Sequence, residues 1–257
     1  MNNLLVTMSV AGHERYFEFA DLCISSFIKN CPSTKMAVFT DRVDYLKKYN
    51  LLSKNIEILD FKTHFDQTDM INIKRQELYN MVCEDYNDPT YNHNHIFVAA
   101  VLPMAQKYAM SQNQIDYILK IDCDGVFAGG DLFSVLKKDI KKYPGYDLYL
   151  VQRTNPLMGF NGRKKLPGVG FTLWNKHGKF INKYNKYFEI EEQRTILNLG
   201  NKIKTKILKR PGYHFVFPFQ KCQPDVEYTK EKLEEFLPAY FHVHEKKHFD
   251  MLSSWFS

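Results

Sequence analysis

The chain has 257 residues, of which 44% are hydrophobic, 15% aromatic and 25% charged. A chain of this length and balance buries enough surface to fold without disulfides or a structural metal. It also lacks any run of the roughly 18 to 20 apolar residues that a membrane-spanning helix requires. Its net charge of +6 is too small an excess for a dedicated nucleic-acid binder, so no nucleic-acid partner is expected.

Leu4 to Ser9 is an apolar run that reads as a first strand, since Glu14, Arg15 and Glu18 follow too closely for a secretion signal. Phe17 to Ile28 carries apolar residues at helical spacing, and Met36 to Thr40 and Ile56 to Phe61 read as short strands. Helices are expected around Ile71 to Cys83 and Ile96 to Met110, parted by Asp88-Pro89. Tyr117 to Ile121 is a buried strand that runs into Asp122-Cys123-Asp124, with Gly125-Val126-Phe127 as the loop after it. Asp131 to Lys142 reads as a helix, Tyr146 to Gln152 and Gly170 to Trp174 as strands, and His177 to Ile190 and Glu191 to Leu199 as helices. Lys202 to Arg210 alternates apolar and basic residues. It is either an edge strand guarded by lysines or a basic patch for a phosphorylated or membrane-linked acceptor. The β-α-β alternation predicts an α/β sandwich with a largely parallel sheet. No linker divides it, so one domain over residues 1–257 is expected.

The five cysteines, Cys23, Cys31, Cys83, Cys123 and Cys222, are widely spaced and form no C-x-x-C pair. Free thiols and a reducing cytoplasm are the expectation. Asp122 and Asp124 are the most informative residues. In an extended chain i and i+2 point to one side, so both carboxylates face one place at the carboxyl end of a buried strand. Open α/β sheets bind ligands there. Two carboxylates alone repel, and Mg²⁺ or Mn²⁺ completed by substrate phosphates resolves the repulsion. The plain alternative is a turn that happens to be acidic. Cys123 alternates away from the pair and should be a buried thiol.

Ile121 to Phe127 resembles the first motif of haloacid-dehalogenase-type phosphatases, in which the first Asp is a nucleophile. The later aspartates (Asp131, Asp139, Asp147, Asp225 and Asp250) are isolated, whereas that family pairs them. A second resemblance covers nearly the whole chain. Tyr117 to Asp124 looks like the hydrophobic strand plus D-x-D of GT-A fold nucleotide-sugar glycosyltransferases, most similar to family 8, and Asp131-Leu132-Phe133 follows as a small helix does there. Gly168 to Asn175 resembles the family 8 segment N-[SA]-G-hydrophobic-…-N, with Gly168 where the family has Asn. Glu191-Glu192-Gln193 with Leu197-Asn198 is similar to its D-Q-x-x-L-N segment, and Tyr240 to Lys247 to its late strand with a metal-ligating His. The family's Arg on the helix before D-x-D has no counterpart; Lys107 is the cation there.

The resemblance implies a single Rossmann-like αβα sandwich with a mixed sheet, residues 1–124 forming the nucleotide-binding half and 125–257 the acceptor-side half. It implies a metal-dependent hexosyltransferase that takes a nucleotide-sugar donor, uridine diphosphate linked, and a saccharide, glycolipid or protein acceptor. Metal ligands would be Asp122, Asp124, His242 and His244, with Mn²⁺ favoured over Mg²⁺ by imidazole. Ser9, Val10, Ala11 and Tyr16 would line the base pocket, Asp122 would share the ion or the ribose, and Lys246 and Lys247 would neutralise phosphate. Glu192 or Glu191 would be the carboxylate near the reacting carbon. A non-catalytic nucleotide- or carbohydrate-binding protein is the remaining alternative. Trp174 and Trp255 are expected as core or rim aromatics, and His93 and His95 lack metal-binding partners in sequence.

Overall fold

A computed structural model describes residues 3–66, 94–152, 167–187, 192–217 and 228–256. Its centre is a seven-stranded sheet, built from β1 (Leu4–Val10), β2 (Lys35–Thr40), β3 (Ile56–Asp60), β4 (Tyr117–Ile121), β6 (Leu148–Gln152), β7 (Pro167–Asn175) and β8 (Thr205–Leu208), in the order β3-β2-β1-β4-β7-β6-β8. The first four strands in that order are mutually parallel. β7 runs antiparallel to both β4 and β6, and β8 is parallel to β6. The sheet is therefore mixed, as expected, and the Lys202 to Arg210 segment does supply its edge strand.

Helix α1 (Glu14–Asn30) starts where the His13 ring accepts a hydrogen bond from the Arg15 N–H, and Pro32 follows its end. Its buried stripe of Phe17, Ala20, Ile24 and Phe27 recurs at the three- and four-residue spacing that puts side chains on one helix face. That stripe packs on Val6, Met8, Val10, Leu119 and Ile121, one face of the sheet. Helix α6 (Leu132–Lys142) joins the same layer, capped by Asp131, whose carboxylate accepts from the Phe133 and Ser134 N–H groups. The opposite face is covered by α5 (Asn94–Ser111), α7 (Phe180–Tyr187) and α8 (Glu192–Gly200) through Ala99 to Leu102, Ala105, Phe180, Tyr184 and Ile196. Burying each large side chain of these two layers contributes about 1.5–3 kcal/mol, which holds the sheet rigid beneath the site. Short helices α2 (Val43–Leu46), α3 (Lys48–Leu52) and α4 (Phe61–Asp66) fill connections in the first half.

Three features differ from expectation. Gly125-Val126-Phe127 is not a loop but part of a strand, β5 (Gly125–Ala128), which pairs antiparallel with β10 (Ala239–His242); β9 (Phe215–Val216) completes this second, three-stranded sheet. The strand at Ile56 ends at Asp60, because Phe61 turns inward to begin α4. The helix expected over His177 to Ile190 begins only at Phe180, after a turn in which Asp147 accepts the Lys179 N–H. The helix expected at Ile71 to Cys83 lies outside the described residues. Helices α9 (Lys230–Glu234) and α10 (Lys246–Phe256) flank the small sheet, with Leu233 and Leu252 in its core. No helix among the described residues is long and apolar enough to cross a membrane.

Candidate metal centre at the sheet switch point

The chain crosses from β1 to β2 on one side and returns to place β4 on the other side of β1. That reversal lies at the carboxyl ends of β1 and β4, the position where open α/β sheets bind ligands. Asp122 to Asp124 sits at the end of β4, where the chain leaves the large sheet and enters the small one. Its backbone is anchored on all sides. The Asp122 N–H donates to the Gly170 carbonyl at 3.3 Å, the Tyr240 hydroxyl donates to the Asp122 carbonyl at 2.5 Å, and the Val243 N–H donates to the Asp124 carbonyl at 2.7 Å. Two glycines make this junction sterically feasible. A Cβ on Gly125 would overlap the Tyr240 ring, and one on Gly170 would collide with the Asp122 carboxylate.

The two carboxylates do face one place. Nε2 of His242 lies 3.0 Å from Asp124 Oδ1 and 3.7 Å from Asp122 Oδ2. His244 Nδ1 lies 3.7 Å from Asp124 Oδ2. Asp124, His242 and His244 each offer a ligand atom within 4.8 Å of the others. Antiparallel pairing of β10 with β5, which sets His242 opposite Gly125, brings the histidines to the carboxylates across more than a hundred residues of sequence. Burial raises the Asp124 carboxyl, but the facing imidazoles of His242 and His244 outweigh it and hold the group well below the usual carboxylate range. Asp124 is thus an anion kept in a half-buried position, which suits a cation ligand.

Beneath Asp122 lies a side chain that has no place in the sequence expectation. Lys120 is 1% exposed. Its ammonium contacts Asp122 Oδ1 at 2.7 Å and Glu192 Oε2, from the first turn of α8, at 3.2 Å. Burial disfavours its charge, but Asp122 and Glu192 more than restore it and keep it a cation. The signal was present in the alternation: Lys120 is two residues before Asp122 on a strand buried on both faces, so both side chains point one way. Glu192 is also buried, and its Oε1 has no hydrogen-bond partner among the described residues. Burial pushes its carboxyl up to about 7, with Lys120 opposing and Asp122 adding to the rise.

A stability consequence follows. An unfolded Glu loses its proton near pH 4.5, whereas the folded Glu192 retains it to about pH 7. Across that interval the unfolded chain binds fewer protons, so rising pH removes stability, at up to about 1.4 kcal/mol per pH unit. Asp124 acts with the opposite sign: its depressed carboxyl contributes stability above the ordinary carboxylate range that is lost as pH falls. Denaturant titrations between pH 5 and 7 should show the unaltered chain losing stability with pH and Glu192→Gln losing markedly less. Parallel slopes in the two chains would exclude Glu192 as the source.

The remaining expected residues fall into place unevenly. Ser9 and Ala11, at the end of β1, are buried, and Ser9 Oγ has no hydrogen-bond partner among the described residues. The register sets Thr7 beside Lys120, so the polar side of β1 lies along the Lys120 and Asp122 side of β4. Tyr16 is half-buried against the core on the other face. Lys246 and Lys247 open α10 on the surface and face carboxylates there, Asp250 at 3.2 Å and Glu245 at 3.9 Å. Glu191 lies outside the described residues, as does His93. Cys123 is a buried thiol, and Cys23, Cys31 and Cys123 are all free. Trp174 is a core residue whose indole N–H donates to Gln106 at 2.8 Å. Asp41, at the end of β2, accepts the Gly12 N–H at 3.1 Å. Arg15 donates to the His244 carbonyl at 2.8 Å, tying α1 to the segment after β10. Neither Arg15 nor the buried His214 behind His242 carries a sequence signal, because each is defined by a partner 28 or more residues away.

No protein-family model matches the chain, and no curated protein sequence does. Solved structures do match. Mouse xyloside xylosyltransferase 1, in its apo form, is 10% identical with a TM-score of 0.53, over 94% of this chain and 97% of that one. The galactosyltransferase LgtC, in complex with donor and acceptor sugar analogs, is 14% identical with a TM-score of 0.51, over 98% and 96%. An active-site mutant of LgtC gives 13% and 0.50 over the same shares. The likeness is one of fold, and the chain has the mixed α/β architecture of GT-A glycosyltransferases.

Proposed function

We propose that the chain is a glycosyltransferase that moves a sugar from a nucleoside diphosphate sugar, uridine diphosphate linked, to an acceptor hydroxyl. The observation that carries this reading is the convergence of Asp122, Asp124, His242 and His244 at the switch point of a GT-A sheet. One carboxylate and two imidazoles within reach of one point, with the Asp122 carboxylate 3.7 Å from one of those imidazoles, fit a divalent ion, and imidazole favours Mn²⁺ over Mg²⁺. Such an ion, when bound, supplies Lewis-acid charge to the diphosphate leaving group.

The chain's own residues take the other roles. Asp124 and His242 would hold the ion, and Asp122, held from below by Lys120, would offer its second oxygen. Ser9, Ala11 and Tyr16 line the nucleoside end at β1. Lys246 and Lys247 are close enough in sequence to His244 to reach phosphate, since exposed ion pairs such as theirs cost little to break. Glu192, with Glu191 before it, is the carboxylate assigned to the acceptor side, and a carboxyl near 7 is poised for proton transfer at neutral pH. Residues 1–257 form one transferase domain in this reading. A phosphatase has no comparable support, because the cluster is completed by histidines rather than by a second pair of aspartates.

A panel of nucleoside diphosphate sugars, with and without Mn²⁺, tests the reading by thermal shift and by sugar transfer. A donor at a hundred times its dissociation constant adds about 2.7 kcal/mol, several degrees for a domain of this size. The expected result is a Mn²⁺-dependent shift with one uridine diphosphate sugar and release of free nucleotide on turnover. A shift without any turnover on a range of acceptors would leave a binding protein instead. Absence of any metal-dependent shift would remove the proposal.

A further inference from the structure

The His242 ring has two nitrogens, and each meets a different partner. Nε2 faces Asp124 at 3.0 Å and Asp122 at 3.7 Å. Nδ1 lies 2.9 Å from Nε2 of His214. His214 directly precedes β9, is fully buried, and stacks on His242 with ring centroids 5.2 Å apart and 16° between the planes. Phe171 and Tyr240 flank the same ring, with centroids at 6.4 and 6.1 Å. Packing at this density holds the imidazole in one orientation.

A hydrogen bond between two neutral imidazoles contains one proton, so the tautomers of the two rings are linked. Facing the Asp124 anion alone, His242 donates from Nε2–H, and its Nδ1 accepts from His214 Nε2–H. A cation at Asp124 reverses both choices. It needs the Nε2 lone pair of His242, whose proton then sits on Nδ1 and must find an acceptor. His214 Nε2 lies within hydrogen-bonding distance of that Nδ1, and it accepts if His214 carries its own proton on Nδ1. Each ring keeps one proton throughout, so the change relocates protons and alters no charge.

We propose that His214 is the positioning residue of the metal centre: its Nε2 accepts the Nδ1 proton of His242 and so holds His242 in the tautomer whose Nε2 lone pair faces the cation. The inference rests on the metal-binding reading given above and goes beyond it by assigning a residue that touches neither the ion nor the carboxylates. Its prediction concerns affinity for the ion itself, before any donor sugar is present.

The test is a Mn²⁺ titration of the full chain without donor, with free ion read by electron paramagnetic resonance, on the unaltered protein and on His242→Ala, His214→Phe and His214→Gln. Phe keeps an aromatic ring, somewhat larger than imidazole, but offers no acceptor. Gln loses the ring and restores an acceptor oxygen. His214→Phe should weaken Mn²⁺ binding by about ten- to a hundredfold, and His214→Gln should recover most of that loss. If His214→Phe binds Mn²⁺ as tightly as the unaltered chain, or His214→Gln is as weak as His214→Phe, the acceptor role is overturned while the metal site stands. If the unaltered chain binds no Mn²⁺, or His242→Ala binds it equally well, the metal reading falls and the inference falls with it. Melting temperatures report folding, and should His214→Phe not fold, His214→Met against His214→Gln makes the same comparison between two flexible side chains.

Discussion

Asp124→Asn is expected to reduce sugar transfer by at least about a hundredfold, the scale on which removal of one preorganised charge-stabilising group acts. The substitution preserves shape and leaves an amide oxygen that still accepts from His242 Nε2, 3.0 Å away in the unaltered chain. What it removes is the anion, which the facing histidines keep ionised although burial opposes it. An ion then loses its strongest ligand and cannot recruit another at the same position, because Asp122 is partly committed to Lys120 at 2.7 Å. Stability should change by only about 1.5–3 kcal/mol, the value of a charge-assisted hydrogen bond. Transfer assays with saturating Mn²⁺, alongside denaturant unfolding, separate the two effects. Turnover close to that of the unaltered chain would exclude Asp124 as the metal ligand.

Lys120→Met should have the largest effect on stability, a loss of about 3–5 kcal/mol. Met is close to Lys in shape and apolar, so the core volume is nearly preserved. The cost arises because the Glu192 carboxylate, 9% exposed, and the inner oxygen of Asp122 lose the ammonium that faces both of them. Glu192 then holds its proton to a higher pH, since its main opposing influence is gone, so the full loss is expected only above that pH, where the carboxylate is charged. The double variant Lys120→Met with Glu192→Gln should recover part of the loss, because a neutral amide is far cheaper to bury than an unpaired carboxylate. Urea unfolding of the two single variants and the double gives the coupling between the residues. Strict additivity would mean that the 3.2 Å pair contributes nothing to the fold. Lys120 also ties the end of β4 to the start of α8, so loss of order at Asp122 should accompany the loss of stability.

The alternation of apolar and polar stretches determined most of the scaffold. Tyr117 to Ile121 is a strand because five consecutive residues can be buried on both faces of a sheet covered by helices, and the structure places that strand in the sheet's middle. Asp131 was legible as the start of a helix because its carboxylate satisfies two of the helix's unpaired N–H groups. The carboxylate pair was legible too, since a two-residue spacing after a buried strand aims both side chains at the sheet's carboxyl edge. These are local rules, and each depends on residues a few positions apart.

What surrounds the pair depends on contacts that local rules do not reach. Gly125 reads as a loop residue in sequence, yet Tyr240 occupies the space its missing side chain leaves, and the segment is a strand because β10 returns to pair with it. Lys120 looks like an intruder in an apolar strand until α8 brings Glu192 against it from 72 residues away. His242 had a proposed partner in sequence, but His214 stood among aromatic residues with nothing to mark it, and only the parallel pairing of β9 with β10 stacks the two rings. The physical reason is the same in each case. Hydrophobic periodicity specifies which face of an element is buried, whereas a buried charge or ring nitrogen is defined by the one partner that satisfies it. That partner is chosen by the packing of the whole chain.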